Sequence, residues 1–192
     1  MSRGGQDRVL IAGVGNVFLG DDGFGVEVVR RIDPGILPGG VDVADYGIRG
    51  VHLAYELLDG RYRTLVLVDA VPLDDPPGTL AVREADCVAA EPRPDVPAMD
   101  AHGMHPQAVL QLLRSLGGSI ERVLVVGCRP AVVDERMGLS DVVAAAVDGA
   151  ARLAVEVAGA EAARYSGEDR SRDRLQGDNN PTREHVRTEG AT

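Results

Sequence analysis

Three segments of the chain are apolar at nearly every position rather than at alternate positions. They are RVLIAGV (8–14), TLVLVDAV (64–71) and RVLVVGC (122–128), all rich in β-branched residues. Continuous hydrophobicity of this kind predicts strands that are covered on both faces, as in a parallel sheet. Two weaker runs, VDVADYG (41–47) and GTLAVRE (78–84), predict further strands nearer the edges of the sheet.

Apolar residues at helical spacing predict four helices between and after these strands. Their ranges are 23–33, 51–60, 106–118 and 139–159. Ser140 is a candidate N-cap of the last helix, and Gly149 is a weak position inside it. The resulting order, β-α-β-α-β-β-α-β-α, is typical of an α/β fold. We therefore expect a three-layer α/β/α, phosphorylase/hydrolase-like domain with a mostly parallel twisted sheet of about five strands.

The character of the sequence changes near residue 160. Beyond this point apolar residues are few and charges of both signs are dense, a composition typical of disorder. We therefore predict a single α/β domain over 1–160 and a disordered charged tail over 161–192.

The net charge is −10, and all 20 basic residues are arginines because the sequence contains no lysine. The negative charge argues against binding to nucleic acid or to anionic membranes. The missing lysine excludes a P-loop and Schiff-base chemistry. No apolar run is long enough to span a membrane, and the first residues lack the apolar segment of a secretory signal. We therefore expect a cytoplasmic protein.

The loop GVGNVFLGDDGFGV (13–26) combines glycines with two adjacent carboxylates, Asp21 and Asp22, directly after the first strand. A dinucleotide-binding loop would need glycine in place of Phe18 and would not present two carboxylates to a phosphate. Asp69 ends the strand at 64–71, and ligands of open α/β sheets bind beyond the carboxyl ends of the strands. Asp22 and Asp69 are thus candidate ligands of a cation, whereas Asp21 is expected to cap the following helix.

Two histidines, His102 and His105, lie in the segment HGMHP just before the helix at 106–118. Two carboxylates and one imidazole would suit a borderline divalent ion. The sequence spacing does not show that these three side chains meet in the fold. Two alternatives to a metal site therefore stay open. Asp69 could instead serve as a helix cap or bond to a loop, and Cys128 could be a nucleophile. The other cysteine, Cys87, forms with Cys128 neither a zinc spacing nor a disulfide framework.

Taken in order over residues 8–158, several segments resemble the hydrogenase maturation proteases, which trim the C-terminus of the large subunit of nickel-iron hydrogenases. The loop at 13–26 is similar to that family's Gly-x-Gly-Asn-x-x-x-x-Asp-[Asp/Glu]-x-x-Gly signature. The other matching segments are VDVADYGIRGVHL, LVLVDAV, AHGMHPQAVL, VLVVGCRP and MGLS.

The resemblance implies that Asp22, Asp69 and His102 bind nickel and carry catalysis. The nickel is carried by the large-subunit precursor, so no tightly bound cofactor is expected. His105 is a nearby alternative to His102. The resemblance further implies substrate contacts in the two glycine-bearing loops, at the residues Gly15, Asn16, Gly47 and Gly50. The protein is expected to act as a monomer on this precursor.

Two other functions are compatible with some of the same residues. A non-catalytic module could recognise the nickel-loaded precursor with the same residues. A receiver-like signalling domain could use the acidic pair and Asp69 to hold Mg²⁺, but it needs a lysine that this chain lacks.

Overall fold

A computed structural model describes residues 7–85 and 106–177, which build one five-stranded sheet with helices on both faces. The strands are β1 (Arg8–Val14), β2 (Val41–Gly47), β3 (Tyr62–Ala70), β4 (Leu80–Ala85) and β5 (Arg122–Cys128). The helices are α1 (Phe24–Val29), α2 (Gly50–Leu58), α3 (Pro106–Ser115), α4 (Asp141–Ala144) and α5 (Val147–Gly177). The predicted three-layer α/β/α architecture is thereby confirmed.

The strand order across the sheet is β2-β1-β3-β5-β4. The first four strands in this order are parallel, and β4 pairs with β5 in the antiparallel direction. The carboxyl ends of β1, β2, β3 and β5 therefore meet at one edge of the sheet. A receiver-type sheet has the order 2-1-3-4-5, so this topology argues against the signalling alternative.

The sheet separates two apolar cores. Alternate residues of β1 illustrate this, because Val9 and Ile11 pack towards α1 and α5 whereas Leu10 and Ala12 pack towards α2 and α3. The central strands β1, β3 and β5 are almost wholly buried, which explains why their sequences show no polar face.

The predicted helix at 139–159 is two helices in the structure. Ser140 is the N-cap residue of the short helix α4. The break falls at residues 145–146, where the Ala146 N–H bonds back to Val143 three residues earlier. Gly149, the predicted weak position, lies inside α5.

The tail predicted from residue 161 is wrong over 161–177, because α5 continues to Gly177. Glu161, Ala162 and Tyr165 are all buried against the sheet. Together with Ala158 they recur at helical spacing, so small apolar residues and one aromatic continue the buried stripe of α5 past the predicted boundary. Residues 178–192 lie outside the described ranges.

Candidate functional site

The loop between β1 and α1 is a tight turn built on Gly15 and Asn16. Gly15 has a φ of 125°, and a Cβ there would lie 1.8 Å from the carbonyl oxygen of Asp22. Only glycine fits both conditions. The Asn16 side-chain oxygen accepts a hydrogen bond from Phe18 N–H at 3.0 Å, which stabilises the turn in the manner of an Asx-turn. The lack of a side chain at Gly15 is thus explained by packing inside the loop.

Asp22 follows this turn at the end of a short 3-10 segment, Gly20–Gly23. Its Oδ2 accepts a hydrogen bond of 2.6 Å from the Asn16 backbone N–H. Its second oxygen, Oδ1, accepts no hydrogen bond from the described residues. The side chain is partly exposed, so one carboxylate oxygen is oriented by the loop and the other is available to a ligand.

Asp69 is the penultimate residue of β3 and is only 8% exposed. Burial raises the pKa of its carboxyl well above the usual range, and the negative charge of Asp22 raises it further. A hydrogen bond from the Ala70 N–H opposes this increase only in part. Asp22 and Asp69 therefore lie close enough to repel each other when both are ionised, and a cation between them would relieve that repulsion.

Asp69 borders a cavity of about 310 Å³ that extends between the carboxyl end of β3 and the edge strand β4. Apolar side chains such as Val71, Leu73 and Val125 contribute most of its lining, and Arg83 and Glu84 lie on the β4 side. Asp22 is not among the lining residues. The cavity is a candidate recess for a side chain of a bound polypeptide.

Asp21 does not cap the following helix, which corrects the expectation from sequence. Its side chain has no exposed surface, and its two oxygens accept hydrogen bonds from Ala131, Val132 and Ser140 in the segment that follows β5. Burial favours the neutral form, but these hydrogen bonds outweigh it and lower the pKa of Asp21. The adjacent carboxylates of Asp21 and Asp22 thus have different environments, one enclosed and one partly open.

The loop after β2 meets the loop after β1 at this same edge. The Gly15 N–H donates to the Gly47 carbonyl at 3.1 Å, and Gly47 has a φ of 52°. Gly50 begins α2 and is buried. The structure therefore brings the loops that carry Gly15, Asn16, Gly47 and Asp22 together at the edge of the sheet where Asp69 lies. Asn16, Gly47 and Asp22 are partly exposed there, whereas Gly15 is buried.

Both candidate histidines, His102 and His105, lie outside the described residues, as does Cys87. Among the residues that are described, no group of three or more His, Cys, Asp or Glu side chains could hold a metal ion. Two of the three predicted ligands, Asp22 and Asp69, are thus among the described residues, and the metal-binding role of all three stays a prediction.

Cys128 does not have the properties of a nucleophile. Its side chain has no exposed surface, and burial together with the charge of Asp21 raises its pKa to about 11. A thiol in this environment is protonated at neutral pH and inaccessible to a substrate.

The hydrogen bonds of Asp21 had no signal in the local sequence, because Asp21 and Ser140 are 119 positions apart.

None of the helices within 7–85 and 106–177 is long and apolar enough to cross a membrane. This agrees with the absence of an 18-residue apolar run in the sequence.

Comparison with known proteins gives consistent matches. The family model described as hydrogenase maturation protease matches residues 26–157. A Methanocaldococcus jannaschii protein assigned to the hydrogenase maturation proteases is 36% identical over 148 residues, which cover 76% of this chain and 92% of that protein. The structure of hydrogenase 2 maturation peptidase from a Thaumarchaeota archaeon is 32% identical, with a TM-score of 0.58, and the match covers 79% of this chain and 98% of that one. The maturation protease HybD from Thermococcus kodakarensis is 28% identical, with a TM-score of 0.58, and covers 79% and 99% of the two chains.

Proposed function

Since the chain belongs to the hydrogenase maturation protease family, we propose that it removes the C-terminal extension of a nickel-iron hydrogenase large-subunit precursor after nickel insertion. The membership makes the protein a hydrolase that acts in hydrogenase maturation. The precursor, the nickel requirement and the position of cleavage are parts of the proposal.

The observation that carries the proposal is the pair formed by Asp22 and Asp69. Asp69 is buried at the carboxyl end of a central strand, and its pKa is raised by burial and by the charge of Asp22. Burying a carboxylate beside a second one is costly unless a cation or a partner compensates for it. No basic side chain among the described residues is paired with either carboxylate, so a cation brought by the substrate would fit this site.

In this proposal the nickel ion belongs to the substrate. Asp22 and Asp69 occupy coordination positions that the precursor leaves open, and His102 supplies the imidazole. Binding through the ion orients the scissile peptide bond against the site, which lowers the entropic part of the barrier. A precursor without nickel lacks this anchor and is not processed.

Asp22 then acts as the general base for peptide hydrolysis. It accepts a proton from a water molecule, whose oxygen forms a bond with the scissile carbonyl carbon. The carbon–nitrogen bond breaks, and the proton passes to the departing amine. The hydrogen bond from Asn16 N–H to Asp22 Oδ2 holds the carboxylate in place and leaves Oδ1 for the water or the ion.

The loops around the pair provide the proposed contacts to the precursor backbone. Asn16 and Gly47 are partly exposed at the same edge as Asp22, and glycine allows a second backbone to approach closely. Gly15 and Gly50 are buried, so they shape these loops and do not contact the precursor. The cavity beside Asp69 would receive a side chain of the precursor. The protein is proposed to act as a monomer.

The test is processing of a purified nickel-loaded precursor, followed by mass spectrometry, with wild type and the variants Asp22→Asn, Asp69→Asn and His102→Ala. We expect loss of processing by at least about 100-fold in each variant, since each removes an anchor or the base. His105→Ala decides between the two histidines. Asp59→Asn, an exposed position directly after α2, is the matched control and should retain the wild-type rate.

Wild-type rates in Asp22→Asn and Asp69→Asn would reject the site. Cleavage of nickel-free precursor at the same rate would reject the nickel anchor. A precursor whose mass is unchanged by wild-type protein despite tight binding would indicate a non-catalytic binding module.

A further inference from the structure

Asp21 binds a segment that lies more than 100 positions later in the chain. Its Oδ2 accepts hydrogen bonds from Ala131 N–H at 2.8 Å, Val132 N–H at 2.9 Å and the Ser140 hydroxyl at 2.9 Å. Its Oδ1 accepts a fourth from Ser140 N–H at 2.6 Å. Residues 131–140 connect β5 to α4, so one side chain joins the beginning of the fold to its last connection.

Backbone hydrogen bonds reinforce this junction. Asp21 N–H donates to Val132 O at 3.0 Å and Gly20 N–H donates to Arg136 O at 2.8 Å. Arg136 N–H returns a bond of 3.0 Å to Phe18 O. The loop that precedes Asp22 is therefore held along its length by the segment after β5.

Asp22 is confined on its other side by its own loop. Its carbonyl oxygen fills the space where a side chain on Gly15 would lie, and its carboxylate accepts the N–H of Asn16. A displacement of Asp21 by about 1 Å should also displace Asp22, because the two residues are consecutive and the Asp22 carbonyl oxygen is packed against Gly15. Displacements of this size around a reacting group can lower rates by about 100-fold.

We propose that Asp21 is a positioning residue that sets the place of the Asp22 carboxylate by anchoring its loop to residues 131–140. The inference rests on the proposed function, because it assumes that Asp22 acts on the precursor. In this proposal Asp21 positions the loop, and Asp22 acts on the precursor.

The chemistry of the contact requires a carboxylate at position 21. Four donors converge on two oxygens, and an ionised carboxylate has about four lone-pair sites to accept them. An asparagine would accept with one oxygen only and would turn its NH₂ group towards an N–H donor. Asp21→Asn therefore preserves the size of the side chain but loses at least the hydrogen bond from the Ser140 N–H and places its NH₂ group against that donor.

The experiment measures kcat/KM for nickel-loaded precursor in Asp21→Asn, Asp22→Asn and the double variant, at a temperature where circular dichroism shows each to be folded. We expect Asp21→Asn to lower kcat/KM by about 10- to 100-fold. In the Asp22→Asn background the same change should alter the residual rate by less than about twofold, because its effect passes through Asp22. If the role of Asp21 were purely structural, Asp21→Asn would lower kcat/KM by the same factor in the wild-type and in the Asp22→Asn background.

Two further variants keep the test decisive. Ser140→Ala removes one donor and leaves three, so it should fold and lower kcat/KM by about threefold, again only when Asp22 is present. If Asp21→Asn does not fold, this variant carries the test. Tyr165→Phe removes a buried hydrogen bond at the opposite edge of the sheet and should leave kcat/KM within about twofold of wild type.

The outcomes separate the two proposals. Loss of processing in Asp22→Asn combined with wild-type rates in folded Asp21→Asn, or in Ser140→Ala where that variant carries the test, would overturn the positioning role alone. Effects of positions 21 and 22 that multiply would overturn it as well. Wild-type processing in Asp22→Asn would reject the proposed site, and the positioning role with it.

Discussion

The hydroxyl of Tyr165 lies 2.5 Å from the hydroxyl of Thr64, which is 101 positions earlier in the chain. Thr64 is near the start of β3, so this contact joins α5 to the edge of the sheet opposite Asp69. The Arg63 guanidinium lies 4.0 Å from the centroid of the Tyr165 ring. Nearby, buried Glu161 accepts hydrogen bonds from Arg122 and Arg164. The far part of α5 is therefore an integral part of the fold.

Truncating Tyr165 should destabilise the protein substantially. We expect Tyr165→Ala to lower the free energy of unfolding by about 3 kcal/mol, because a buried aromatic ring is lost. Tyr165→Phe should lower it by about 1 kcal/mol, the typical value for one hydrogen bond. Urea denaturation of the full chain measures both, with exposed Glu156→Ala on the same helix as the control. An unchanged midpoint in Tyr165→Ala would show that α5 beyond residue 161 does not contribute to stability.

Gly15 should not tolerate a side chain. Gly15→Ala places a Cβ at 1.8 Å from Asp22 O on a backbone with a φ of 125°, so we expect a loss of about 2 kcal/mol or more. Processing should fall as well, because Asp22 has to move. Gly39→Ala is the matched control, since Gly39 has open space around it, and its melting temperature should stay near that of wild type. Equal melting temperatures for the two variants would contradict the described loop.

Asp69 should make the free protein less stable as the pH rises. Its pKa is raised in the folded state, so the folded protein retains a proton that the unfolded chain releases near pH 4. Stability from this group is fully present below the unfolded pKa and is lost as the pH rises towards the raised folded value. A difference of one pKa unit corresponds to about 1.4 kcal/mol.

Asp69→Asn should therefore raise the melting temperature at pH 7 while processing is lost. At pH 3 the difference from wild type should shrink, because both forms are then neutral. Differential scanning calorimetry across this pH range measures the effect, with exposed Asp74→Asn as the control. A variant that is less stable than wild type at pH 7 would show that the Asp69 carboxylate is compensated within the protein.

Cys128 should be unreactive in the native protein. Its thiol is buried and its pKa is raised to about 11, so iodoacetamide should not label it at pH 8 until the protein is unfolded. The Cys87→Ser background isolates the reaction at Cys128, and mass spectrometry measures it. Rapid labelling without denaturant, together with loss of processing, would restore Cys128 as a candidate nucleophile.

The central strands were predictable because strands buried on both faces are apolar at nearly every position. The bounds predicted for 8–14, 41–47 and 122–128 agree with β1, β2 and β5. The antiparallel direction of β4 was not predicted, because pairing direction depends on where the chain returns to the sheet and not on the composition of the strand. The end of α5 was misjudged because its buried face uses alanines, whose weak hydrophobicity was masked by the charges around them.

The candidate site was predictable in part. The position of Asp69 at the end of an apolar strand was visible, because an ionisable side chain there stands out against its neighbours. The hydrogen bonds of Asp21 could not be predicted, because their four donors come from residues 131–140. The local sequence around Asp21 contains no pattern that indicates contacts this far along the chain. Asn16 was expected from the resemblance as a substrate contact, and its side-chain bond with Phe18 N–H shows that it also stabilises the turn.

The enclosure of Asp21 beside the partly open Asp22 has a consequence for how the two positions can vary. At position 21 the length of the side chain is constrained, since glutamate would push its oxygens past donors that are fixed in the backbone. At position 22 a longer carboxylate has room to bend back to the same place, because the side chain is partly exposed and Oδ1 faces no donor among the described residues. A saturation library scored for processing should therefore accept only aspartate at 21 but both aspartate and glutamate at 22. The two adjacent aspartates would then differ in the substitutions that each position tolerates.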